Sequence, residues 1–183
     1  IPVGGFLMMS HRADEETILN EATKSVSYGA ESICITDSAG AMTPSEVRRK
    51  ISLVKEKLGV PVGFHSHDNL GLAVGNSMVA IESGADSVDS SLCGLGAGSG
   101  NTKTEFMAAV LEKYGYDTGA SVFRILDACE NLIPIVNSYG VELAITEDVL
   151  MIGYAGTYSS FMKPARLVAQ KYGADYREIL MEA

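Results

Sequence analysis

The apolar positions of this chain gather into four short strand-like runs, Val3 to Met9, Ser32 to Thr36, Val60 to Phe64 and Ala85 to Leu92, and a pattern of helical period follows each. The second helix has the clearest signals. Thr43-Pro44-Ser45-Glu46 has the form of a capping box with proline at the first helical position, Val47, Ile51, Val54 and Leu58 make one apolar stripe, and Gly59 supplies the stop. Thr102-Lys103-Thr104-Glu105 repeats the box ahead of Phe106, Ala109, Val110 and Tyr114, with Gly115 closing that helix. Leu70 to Glu82, ended by Gly84, fills the same place after the third strand. Strand and helix recur at roughly 25 to 30 residues, the length of a right-handed crossover, so the predicted class is α/β with a parallel sheet.

A complete eightfold barrel takes about 250 residues, and four units ending near Gly115 amount to half of one. A doubly wound open sheet is the structural alternative. The Gly94-Leu95-Gly96-Ala97-Gly98-Ser99-Gly100 stretch does not favour it, because it follows the last strand rather than the first and lacks an acidic partner at the expected distance. Beyond Gly115 the pattern is helical alone: Ser121 to Val136, Glu147 to Ile152, Ser160 to Tyr172 and Asp175 onward, with Pro134 and Gly140 separating the first two. The expected division is a half-barrel over residues 1–118 and an appended helical domain over residues 119–183. A start on Ile1 in strand-like sequence, and an end inside a helical pattern, lead to the expectation of a fragment. Two open sheet edges, at the Val3 and Ala85 strands, would then favour self-association.

Composition narrows the function classes. At 183 residues, 46% apolar and 20% charged, the chain suffices for a well-buried globular domain. Its net charge of -9 is spread along the sequence, which argues against nucleic acid or an anionic membrane as partner. Cys34, Cys93 and Cys129 are odd in number and far apart, as expected of reduced core thiols in a cytoplasmic protein. No apolar run approaches the about 20 residues of a membrane span.

The chemistry centres on Phe64-His65-Ser66-His67-Asp68-Asn69. Side chains alternate along a strand, so His65 and His67 share a face while Ser66 takes the other. Two imidazoles so placed suit a divalent metal completed by oxygen ligands, or else are two hydrogen-bonded histidines at a strand end. Further polar residues fall at the C-terminal ends of the strands: Ser10 and His11, Asp37 and Ser38, Asp89 to Ser91. In a parallel barrel those ends form the face that carries active sites. Taken singly, Asp37, Asp89 and Ser90 read more readily as loop or helix-capping residues bonding backbone.

Five segments carry a resemblance: Gly5 to His11, Asp37-Ser38-Ala39-Gly40-Ala41-Met42, Gly63 to Leu70, Gly94 to Asn101, and Gly153-Tyr154-Ala155-Gly156-Thr157-Tyr158-Ser159-Ser160-Phe161. In this order they resemble the 4-hydroxy-2-oxovalerate aldolases, metal-dependent pyruvate aldolases of the hydroxymethylglutaryl-CoA lyase-like barrel group. The His-x-His-Asp-Asn segment is shared by the wider group, whereas the Tyr-Ala-Gly-Thr-Tyr-Ser-Ser-Phe segment is particular to the aldolases. The resemblance implies strands five to eight of a TIM barrel followed by part of a domain that docks an acylating acetaldehyde dehydrogenase. It implies Mn2+ held by His65 and His67, the pyruvyl carboxylate held by Ser38, and Tyr158 near the substrate hydroxyl. The implied reaction is cleavage of 4-hydroxy-2-oxopentanoate to pyruvate and acetaldehyde through a metal-stabilised enolate, as part of aromatic-compound catabolism.

The resemblance also implies a third metal ligand, an enolate-stabilising arginine and a base on a first-strand segment that has no match in these 183 residues. The chain is therefore expected to be inactive alone, and His11 matches a position without a catalytic role. Isopropylmalate synthase and hydroxymethylglutaryl-CoA lyase are the alternatives within enzymes. Gly94 to Asn101 contains neither the Gly-Glu-Arg-Ala-Gly-Asn run of the first nor the Cys-Pro-Tyr insertion of the second. From another class, the helical part could act as a docking module beside an idle metal site, with Met151, Ile152, Tyr154, Phe161 and Met162 facing a partner or packing inward.

Overall fold

A computed structural model describes residues 1–141 and 147–183. Four parallel strands, β1 (Gly4–Leu7), β2 (Ser32–Asp37), β3 (Val62–Ser66) and β4 (Ser87–Val88), lie side by side in sequence order. Between them run α1 (Glu15–Ser27), α2 (Pro44–Leu58) and α3 (Ala73–Glu82), and α4 (Thr104–Lys113) follows β4. Four further helices follow among the described residues: α5 (Val122–Ser138), α6 (Glu147–Ala155), α7 (Met162–Tyr172) and α8 (Tyr176–Met181). The α/β class and parallel sheet expected from the sequence are what the structure shows, with β1 and β4 at the edges.

The sheet has two unlike faces. One carries Ile33, Ile35, Val62 and Phe64 against Ile18 and Ala22 of α1, Val47, Ile51 and Val54 of α2, and Ala80 of α3, all buried in one core. Burying a side chain of this size contributes about 1.5–3 kcal/mol, so this face holds the sheet to its helices. In register on the opposite face lie Phe6, Cys34 and Gly63, then Thr36 and His65. That face is open enough to leave Phe6 50% exposed. A smaller core of Ile152, Ala165 and Leu180 joins α6, α7 and α8.

Several boundaries differ from expectation for local reasons. The first strand ends at Leu7 because Met9 adopts the left-handed region at φ 57° and the chain turns into a short 3-10 segment, Ser10–Arg12. Buried Lys50 fastens that turn from α2, its Nζ donating to Ser10 O at 2.7 Å and Ala13 O at 2.8 Å. The fourth strand is only two residues long, since Ser91 turns away to pair with Lys103. The Thr43 box forms, with Thr43 N donating to Glu46 Oε2 at 2.7 Å. The Thr102 box does not: α4 starts one residue later than it predicts, with Lys103 at the N-cap, Thr102 is buried with its hydroxyl 3.1 Å from Ser77 Oγ, and Glu105 accepts from Cys93 N instead. Pro134 lies inside α5 rather than ending it, on an exposed side where water can take the carbonyl it frees.

Candidate metal and substrate site at the strand ends

β3 delivers the two histidines to its C-terminal end, and each is fixed through the same nitrogen. His67 Nδ1 donates to Ala97 O at 2.9 Å. His65 Nδ1 lies 3.0 Å from Asp89 Oδ2, an acceptor just past β4. The rings stand 5.3 Å apart between centroids, and Phe6 meets the His65 ring edge-on at 5.4 Å. Both Nε2 lone pairs are thereby left available to a ligand, the arrangement in which an outer acceptor sets the tautomer and aim of a metal-binding imidazole. The donor set therefore fits a divalent cation. Asp89 is a correction, because its carboxylate meets a ring where backbone bonding was expected.

The glycine-rich loop builds the His67 clamp. Its carbonyl at Ala97 faces the ring, Asp68 N donates to Gly100 O at 2.9 Å, and Asn101 bridges back to His67. Gly98 and Gly100 have φ of 64° and 91°, which a side chain rarely allows, so the loop needs glycine for its path. Asn69, buried beside it, accepts from Ser99 Oγ at 3.0 Å and donates Nδ2 to Val149 O at 2.9 Å, tying the loop to α6.

Ser38 sits at the end of β2, nearly buried, and its Oγ accepts from Met9 N at 2.9 Å. The left-handed Met9 aims that N–H, and the serine proton remains available to an incoming oxygen. Neighbouring Asp37 turns away: its two oxygens accept from Ala41 N and Met42 N, both at 2.9 Å, in the backbone-bonding role expected of it. Burial pushes its carboxyl pKa up.

His11 is buried with Nε2 3.0 Å from Gly156 O and Nδ1 3.8 Å from Asp37 Oδ1. This contact seats the turn after α6 on the strand ends, two residues before Tyr158. Tyr158 is half-buried at the start of a short 3-10 segment, Ser159–Phe161. Of the five apolar residues considered for docking, Ile152 is buried, Met151 and Met162 pack against the same helical core, and Tyr154 and Phe161 are exposed.

Burial lowers the pKa of His11 and of His67 from the usual 6.5. The folded state then binds fewer protons than the unfolded chain as pH falls below about 6.5, so folding stability declines on acidification. With metal chelated, the urea midpoint should drop between about pH 7.5 and pH 5.5, and His11→Gln should flatten part of that drop. An unchanged slope in the variant would contradict a buried, neutral His11.

Comparison with known proteins shows the family of the chain. The model of the HMGL-like family matches residues 2–133, well over half of the chain. The chain belongs to the HMGL-like family. A second model, the DmpG-like communication domain, matches residues 143–183. Curated 4-hydroxy-2-oxovalerate aldolases are similar along almost the whole chain. That of Thermomicrobium roseum is 49% identical over 178 residues, covering 97% of this chain and 49% of the relative. That of Pelotomaculum thermopropionicum is 49% identical over 180 residues, covering 98% and 52%. This HMGL-like chain thus spans about half the length of the curated relatives it matches. Among solved structures, the carboxyl transferase domain of Rhizobium etli pyruvate carboxylase superposes with a TM-score of 0.79 at 18% identity, covering 98% of this chain and 32% of that one, a likeness of fold. Among the described residues no helix is long and apolar enough to cross a membrane.

Proposed function

We propose that this chain is the metal-bearing half of an aldolase that cleaves 4-hydroxy-2-oxopentanoate into pyruvate and acetaldehyde. The observation that carries the proposal is the pair of histidines held by Nδ1, with both Nε2 atoms left to ligate at the strand ends. The similarity to 4-hydroxy-2-oxovalerate aldolases along almost all of this chain supports the choice of reaction. Residues 1–118 are the C-terminal half of a TIM barrel in this reading, and the open face carrying Phe6 and His65 is its interior. Residues 119–183 form the helical part that docks an acylating acetaldehyde dehydrogenase, in keeping with the communication-domain match.

A divalent cation, Mn2+ in the first instance, would supply Lewis-acid stabilisation of the negative charge that develops on the 2-oxo acid. His65 and His67 would hold that cation, and their Nδ1 acceptors keep the rings aimed so that little reorganisation is needed. Ser38 donates its hydroxyl proton to the substrate carboxylate while its oxygen stays bound to Met9 N. Breaking the C3–C4 bond leaves the electron pair on the pyruvyl fragment, and the C4 hydroxyl proton must leave as acetaldehyde forms. Tyr158, carried to this end of the strands by the Gly156 contact with His11, hydrogen-bonds the C4 hydroxyl and orients it.

The base that takes this proton and the ligands completing the metal shell come from protein outside these residues. Joined with the N-terminal half of a related aldolase, the chain should release pyruvate and acetaldehyde in equal amounts from 4-hydroxy-2-oxopentanoate, and alone it should release none. Condensation of a 2-oxo acid with an acyl-CoA by the completed protein, without aldol cleavage, would refute the reading.

A further inference from the structure

Away from the strand ends, three ligand-type side chains meet. Cys93 lies in the short 3-10 turn after β4, Glu105 in the first turn of α4, and Cys129 midway along α5. Their two sulfurs and a carboxylate oxygen all lie within 4.8 Å of one another. We propose that Cys93, Glu105 and Cys129 form a second metal site, selective for a soft divalent cation such as Zn2+ and separate from the histidine pair.

Donor type, backbone and surroundings each support it. Two thiolates and one carboxylate suit Zn2+ and disfavour Mn2+, which prefers oxygen and imidazole. Tetrahedral zinc with Zn–S of about 2.3 Å places its sulfurs ~3.8 Å apart, so these side chains need close by only ~1 Å. Cys93 holds φ 56° and ψ 14°, a left-handed backbone that a non-glycine residue rarely adopts. Its N–H donates to Glu105 Oε2 at 3.1 Å, which fixes the carboxylate beside the thiol. The three residues line a cleft of about 580 Å³ that is open to solvent, so water can complete the coordination. Lys103 lines the same cleft and offsets the negative charge left when two thiolates and a carboxylate bind a dication.

Binding is written as Zn2+ replacing two thiol protons, which pass to solvent, with no change in oxidation state. The cation would pin α5 to α4 and to the turn after β4, three elements that otherwise touch through few buried side chains.

The test uses the purified protein carrying His65→Ala and His67→Ala, so that the histidine pair cannot contribute. Co2+ should give the thiolate-to-metal charge-transfer band, and one equivalent of Zn2+ should survive desalting, raise the thermal midpoint and protect two cysteines from alkylation. Cys129→Ser should remove the band and the protection, and Glu105→Gln should weaken Zn2+ at least tenfold. Mn2+ should give none of these effects. Absence of the cobalt band in the cysteine-intact protein, a Cys93–Cys129 disulfide that excludes metal, or Zn2+ retained equally by Cys129→Ser would overturn the proposal.

Discussion

Replacing His67 with alanine in the completed protein should weaken Mn2+ binding by ~100-fold or more, since loss of an outer-shell partner alone costs about 10- to 100-fold and here a proposed ligand itself is removed. His65→Ala should act as strongly. Asp89→Asn should cost less, because the amide still offers an oxygen to His65 Nδ1 but no charge. The ranking follows from geometry: the histidines carry the Nε2 atoms proposed to ligate, while Asp89 acts only through His65 Nδ1, at 3.0 Å. Isothermal titration with Mn2+ checks it, and equal affinities for wild type and both histidine variants would remove the metal centre from these residues.

Gly40→Ala should destabilise the protein by about 3 kcal/mol and disorder the site with it. Gly40 has φ 58°, and a Cβ there would lie 2.6 Å from both Asn69 N and His67 O, backbone atoms of the segment that presents the second histidine. Neither neighbour can yield, because Asn69 is tied to α6 and to the glycine-rich loop. Alanine thus faces a strained backbone and a steric overlap at once, and relief requires moving the end of β3 away from β2. Urea denaturation should show the lower midpoint, and Mn2+ affinity should fall in parallel. A variant as stable as wild type would mean that the two strand ends are less closely packed than they stand here.

Local signals explain which features were legible in the sequence. The strand-helix repeat and the stop at Gly59 were readable because each rests on residues close in sequence, and α2 runs from Pro44 to Leu58 as its box and stripe predict. His65 and His67 were readable because period two along a strand fixes a shared face. What holds them was not. Asp89 stood out only as a polar residue at a strand end, 24 residues from its partner, and Ala97 contributes only a carbonyl, so no pattern links either to a histidine. Met9 offers no sequence signal for a left-handed turn, yet it aims the N–H that orients Ser38. The glycine-rich loop was visible, but its purpose was not, since it closes on β3 through backbone. Thr102 misled because its local box competes with burial against Ser77, and packing won.

The most direct test of the central claim is the metal dependence of pyruvate release from 4-hydroxy-2-oxopentanoate by the completed protein, wild type beside His65→Ala and His67→Ala. Turnover that appears with Mn2+, disappears with a chelator and is absent from both variants is the predicted result. Turnover that survives chelation, or persists in either variant, would contradict it.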